Sequence, residues 1–264
     1  MFKFGSEAIA APQFIPEEST REWIAAALRD IVATLGAVAR EPRTIADPPA
    51  RGVSQPRDLD SLFDFICATQ EHIGQDELEF TLTEMQPGKP PVPEGFMPLG
   101  DPLGHLIHSF RNDAGAYVLL VVPQIFKAPP LVLGGVAREL GRMGLSEAGG
   151  HRGPLADVDE EAAAELAGIA LGMGVWVANG AYMFENSCCG GGCGLDLTSV
   201  AVSLSIPEVC FALALDAQRK GISRRHIARL LEPTQKAAFK KNWSDAGKVA
   251  PALAAGAAQA ALDA

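Results

Sequence analysis

Leu166 to Phe184 is an almost unbroken apolar run, and it limits the folds open to this chain more than any other stretch. At ~20 residues it is long enough to span a bilayer as a helix. It is rich in Ala and Gly rather than Leu and Ile, contains Asn179, follows an acidic run at Asp157–Glu161, and lacks a flanking Lys/Arg cluster. A membrane span would carry the opposite flanks. The run therefore predicts a buried helix over 159–184, with the acidic residues at the positive end of its dipole. Gly168 and Gly172 would let a neighbouring helix approach closely. No membrane association is expected.

A helix apolar all round has to be surrounded by other elements. Pro129 and Pro130 open a second helical pattern, 130–143, with Leu131, Val132, Val136 and Leu140 on one side. Strand signals sit at 77–83, where Leu78, Phe80 and Leu82 alternate with polar residues, and at 115–122, a continuous apolar run suited to a central strand. Ser19-Thr20-Arg21-Glu22, Asp58 and Ser205-Ile206-Pro207-Glu208 read as starts of further helices, Ser223 as a cap and Pro233 as the opening of a short helix. The expected fold class is α+β: a small sheet packed on two inner helices, with a mostly helical C-terminal half. One domain is expected over 1–245, followed by an Ala-rich, frayed tail over 246–264.

The 264 residues carry a formal net charge of −10, and no basic stripe is apparent, so nucleic-acid binding is not expected. Met1-Phe2-Lys3-Phe4 does not lead into an apolar leader. Five cysteines, an odd number, form no disulfide framework and suit a reducing cytoplasm.

Three groups of residues could carry chemistry. Arg138-Glu139-Leu140-Gly141-Arg142 has the spacing of the zinc-binding pattern His-Glu-x-x-His, with Arg in both His positions. A guanidinium is always charged and has no lone pair to give a cation. One reading is an exposed helix face with a Glu139–Arg142 pair. The other is a filled pseudo-site, in which both guanidiniums face Glu161 and Glu165 between the helices and supply positive charge in place of a metal. Replacement of Glu165 by Ala would then strand a buried guanidinium. Cys188, Cys189 and Cys193 form a Gly-rich loop whose spacing does not match paired zinc knuckles, and Cys210 falls on an apolar helix face. His105 and His108 could form a three-histidine site with His151, against the plainer reading of exposed loop or strand-edge histidines.

Phe14-Ile15-Pro16, Ser19 to Ile24, Leu131 to Leu145, Glu165-Leu166, Leu171 to Val175, Ala178-Asn179 and Phe211 to Leu215 occur in an order that resembles a group of uncharacterised bacterial proteins with a zincin-like His-Glu-x-x-His helix. The resemblance implies a single zincin-like domain, with 130–143 as the metal-site helix and acidic residues at Glu161 or Glu165 completing the site. With both imidazoles replaced, it implies an inactive relative that needs no cofactor and binds an unidentified protein or small molecule. The alternative is a metal-dependent hydrolase whose site has moved to His105, His108, His151 or the Cys188–Cys193 loop.

Overall fold

The structure, a computed structural model, describes residues 14–45, 54–86, 91–150, 152–185 and 203–262. In chain order these form α1 (Glu18–Leu35), α2 (Ala37–Arg40), α3 (Leu59–Ile73), β1 (Phe80–Glu84), β2 (Phe96–Pro98), β3 (Ile107–Asn112), β4 (Tyr117–Val121), α4 (Pro129–Glu147), α5 (Glu160–Gly168), α6 (Gly174–Glu185), α7 (Ile206–Arg219), α8 (Arg224–Leu230) and α9 (Pro233–Leu262). The class is α+β, as expected, with the sheet order β1-β4-β3-β2.

β4 lies inside the sheet, parallel to β1 and antiparallel to β3, and every one of its residues is buried. That is why its sequence is continuously apolar rather than alternating. Tyr117, Leu119 and Val121 join the main core, while Val118 and Leu120 join a smaller cluster with Met85, Phe110 and Val122 on the other face. The strand starts two residues later than its apolar run suggests. Gly115, at φ +90°, turns the β3–β4 hairpin, and the Asn112 side chain accepts from the Ala116 N–H at 2.9 Å. β2 and β3 carry no clear strand signal. β2 is three residues long, and β3 mixes His, Ser, Arg and Asn with two apolar residues.

α4 crosses its neighbours on glycines. A Cβ on Gly141 would lie 2.3 Å from the Ala164 carbonyl oxygen, and one on Gly168 would lie 2.6 Å from that of Ala137. Gly134 and Gly180 meet in the same way between α4 and α6. These positions let the α4 backbone sit against α5 and α6, so a side chain on one helix reaches the next within a hydrogen bond's length.

The expected single helix over 159–184 is two helices. A wide turn at Ile169–Met173 separates α5 from α6, and Gly172 adopts φ +99°, outside the helical range. The space beside Gly172 is filled by Arg43, and a Cβ there would lie 2.7 Å from that side chain's Cγ. The backbone groups freed by the break are met from outside: Ile45 N–H donates to the Gly172 carbonyl at 2.8 Å, and Lys220 Nζ donates to that of Ala170 at 2.6 Å. Lys220 is buried and pairs with Asp216 at 2.8 Å. The stretch Glu160–Ala181 passes a length and composition test for a membrane span, but its apolar window is 89% buried inside the protein. Asn179 is satisfied there, donating to the Leu230 carbonyl and accepting from the Glu232 N–H, both at 3.1 Å.

Asp58 caps α3 as expected, accepting from Ser61 N–H at 2.8 Å, and Glu208 accepts from Ser205 N–H at 2.7 Å at the start of α7. α1 instead opens at Glu18 with no side-chain cap. The helix from Pro233 is not short. It runs to Leu262 and takes in much of the stretch read as a frayed tail. The 188–193 cysteine loop and His151 lie outside the described residues.

Candidate functional site

The Arg138–Arg142 segment occupies the middle of α4, where it faces β3 and the first turn of α5. Arg138 and Arg142 are each 6% exposed and Glu139 is fully buried, so the exposed-face reading is corrected. Their burial follows from helix geometry. Residues 138 and 142 are one turn apart and share a face, and α4 has elements on several sides.

Glu139 is the centre of the cluster. Its Oε1 accepts from Arg138 Nε at 2.9 Å. Its Oε2 accepts from the Ser109 N–H at 2.9 Å, from Ser109 Oγ at 2.7 Å and from Arg142 Nε at 3.1 Å. Arg138 Nη2 also donates to the Ile107 carbonyl at 2.9 Å. Arg142 Nη1 donates to the Leu99 carbonyl at 2.7 Å, and its Nη2 reaches Glu161 Oε2 at 2.6 Å. Two guanidiniums thus tie α4 to β3, to the loop after β2 and to α5. Charge balances within the group, two guanidiniums against the two carboxylates of Glu139 and Glu161.

Burial alone would raise the Glu139 carboxyl, but Arg142 and then Arg138 outweigh it and hold the group well below the usual carboxylate range. Burial likewise disfavours the charged Arg142, yet Glu139 and Glu161 push its proton affinity up. Glu161 follows the same logic: burial opposes ionisation, while the His105 hydrogen bond and Arg142 bring it down to about 2. Both Glu139 oxygens are occupied and the carboxylate is held ionised, so this Glu is poorly placed to take a proton from a water molecule.

His105 and His108 are not exposed loop residues. They are 4% and 0% exposed and stack with ring centroids 5.3 Å apart. His105 Nε2 lies 3.0 Å from Glu161 Oε2. Burial, then Arg138, lowers the His105 proton affinity, so this is a hydrogen bond from a neutral ring rather than an ion pair. Strand alternation separates the other residues: Ser109 faces α4, whereas His108 shares the opposite face of β3 with Phe110, whose ring it meets edge-on at 5.4 Å. Burial takes His108 down to about 4 against the pull of Glu139. Two guanidiniums beside these imidazoles disfavour a bound cation. Among the described residues, no three of His, Cys, Asp and Glu are grouped as metal ligands. Cys210 is buried on α7.

Glu165 does not join the ion pairs, which corrects the expectation that its loss would strand a guanidinium. It is half-buried, and its Oε2 accepts from the Leu204 N–H at 3.2 Å. Burial raises its carboxyl to about 7, with Arg138 and the Leu204 hydrogen bond opposing. The folded state therefore holds this proton to higher pH than the unfolded chain does, and stability is lost as pH rises from about 4.5 to about 7. Glu165→Gln is expected to stabilise the protein at pH 8 by about 2 kcal/mol, allowing for partial exposure, and to change little at pH 4. Urea denaturation at the two pH values measures this, and an equal effect at both would contradict it.

Gly100, at φ +82°, covers the outer edge of the cluster. A Cβ there would lie 2.5 Å from Arg142 Nη1 and 3.1 Å from both Glu160 Oε2 and Glu161 Oε1. A small cavity of about 110 Å³ opens beside it, lined by Leu99, Arg142, Ser146 and Glu160 among others. Ser109 and the two carbonyl partners were not legible as site residues. The carbonyls belong to the backbone and leave no sequence signal, and Ser109 is recognisable only once β3 is placed against α4. Compared with known proteins, the chain matches no family model, no curated sequence and no solved structure.

Proposed function

We propose that this chain is a catalytically inactive relative of zincin-like metallopeptidases, serving as a binding or structural protein. One observation carries the reading. Two arginines one turn apart, flanking a glutamate on a single helix, turn inward and ion-pair with that glutamate and with Glu161 on the next helix. A zinc site with this spacing would place two neutral imidazoles and a divalent cation in the same space. Two guanidiniums deliver the same charge of +2 without a metal, through bidentate-capable donors that suit buried carboxylates. A protease glutamate needs an oxygen turned to a bound water, whereas both Glu139 oxygens are engaged by arginine or serine donors.

The test is Arg138→His with Arg142→His in one chain. The wild type is expected to purify without stoichiometric zinc and to show no change in melting temperature on adding it. The folded double variant is expected to gain zinc-dependent stability, about 2.7 kcal/mol when zinc stands at 100-fold its dissociation constant. One zinc per wild-type chain, or a folded double variant indifferent to zinc, would overturn the reading.

A further inference from the structure

The formal charge of −10 conceals a local reversal. α8 and the N-terminal part of α9 form a groove of about 550 Å³ lined by Arg224, Arg225, Ala228, Arg229, Lys236 and Lys240. Four of the five cations are exposed and Lys236 is half-buried. Among the described residues no carboxylate lines the groove, and none of the five cations joins an ion pair. Two of the guanidiniums bond backbone carbonyls instead. Arg224 Nη2 donates to Lys240 at 2.9 Å, bridging the two helices, and Arg229 Nε donates to Arg225 at 3.3 Å. Cations are abundant enough on any surface, but they are usually interspersed with acids, and gathering five without a counter-charge raises the energy of the free protein. The five lie within 224–240, a locally basic stretch that the net charge of the whole chain conceals, so the expectation of no basic stripe is corrected here. The turn at Leu231–Glu232 folds them onto one groove.

We propose that this groove binds a compact polyphosphate-type anion, one carrying two or three linked phosphate groups. Five cations suit that charge, since each terminal phosphate carries up to roughly −1.5 to −2 and an internal one, with a single ionisable oxygen, less. Guanidiniums and ammoniums both bind phosphate oxygens strongly, the former in a bidentate manner. The lining favours this class over other polyanions. Among the described residues that line it, Ala228 is the only apolar one and none is an aromatic platform on which a nucleic-acid base could stack. The large hydrophobic residues exposed among the described residues, Ile15, Phe63, Val92, Met97 and Leu103, belong to neither helix, so among the described residues none offers an anionic membrane an apolar anchor beside the groove. Neither α8 nor α9 lends a side chain to the Glu139 cluster, so this proposal stands apart from the pseudo-site reading.

Calorimetric titration of the full chain with sodium tripolyphosphate, against sodium sulfate at matched ionic strength, tests it. Tripolyphosphate is expected to bind one-to-one and about ten-fold or more tighter than sulfate, weakening as NaCl is raised. Arg225→Glu with Arg229→Glu is expected to lower that affinity about fifty-fold or more, since like-charge juxtaposition repels the ligand. Lys236→Gln with Lys240→Gln serves as a second variant in case charge reversal disturbs α8, and is expected to weaken binding about ten-fold. The proposal is overturned if tripolyphosphate binds no tighter than sulfate or if folded variants bind it unchanged. It is equally overturned if the chain binds an oligothymidylate or phosphatidylserine vesicles but not tripolyphosphate.

Discussion

Glu139→Gln is expected to destabilise the protein by about 3–5 kcal/mol, the range for removing one partner of a buried ion pair. Gln keeps the volume and one acceptor oxygen, so packing is nearly preserved and the loss is electrostatic. The cluster changes from neutral to a net charge of +1, with Arg138 and Arg142 set against Glu161 alone. Arg142 keeps its bond to Glu161 at 2.6 Å, but Arg138 comes no nearer to that carboxylate than 3.9 Å. Arg138 is therefore the guanidinium left worst placed. Small domains have total stabilities of roughly 5–15 kcal/mol, so a loss of this size is read readily in a denaturant midpoint. A change below about 1 kcal/mol would instead fit a solvated surface pair.

Gly141→Ala is expected to cost about 3 kcal/mol or more, although Ala is the better helix former by ~1 kcal/mol. The added methyl would lie 2.3 Å from the Ala164 carbonyl oxygen and 2.6 Å from the Gly168 nitrogen. Both are backbone atoms of α5, so no side chain can rotate away and the helices have to separate. Separation also draws Glu161 from Arg142, which couples this site to the ion pairs. Gly144→Ala provides the comparison on the same helix. Its methyl would meet Gln75 Nε2 at 2.5 Å, the end of a side chain that can give up its bond to the Leu140 carbonyl. Guanidinium denaturation of both variants should show the larger loss at 141, and equal losses would contradict the close crossing of α4 and α5.

Part of this site is legible in the sequence. α4 and β4 were legible because proline at a helix start and an unbroken apolar run are local signals with local causes. The inward direction of Arg138 and Arg142 was one of two open readings, because charged residues at helical spacing look the same whether they face water or a carboxylate on another helix. Glu161 was placed correctly beside them, and Glu165 was not. One further turn along α5, its carboxyl meets the Leu204 backbone instead. The break at Gly172 was hidden because apolar periodicity does not report φ, and the apolar pattern continues through the turn. His105 and His108 were read from their Pro/Gly surroundings as exposed, but β3, too polar to be recognised, carries His108 into the interior. The basic groove was legible as a run of cations over 224–240, but the whole-chain charge of −10 hides that run, and only the fold-back of α8 on α9 shows that its residues share one groove.

The central claim is that guanidinium and carboxylate neutralise one another inside the protein at residues 139 and 142. A double-mutant cycle with Glu139→Met, Arg142→Met and the two combined measures this directly. Each single change strands a charge, whereas the pair leaves Arg138 balanced by Glu161. The account predicts a coupling energy of about 2 kcal/mol or more, with the double variant less damaged than the sum of the singles. Coupling below about 0.5 kcal/mol, the value for independent sites, would contradict it.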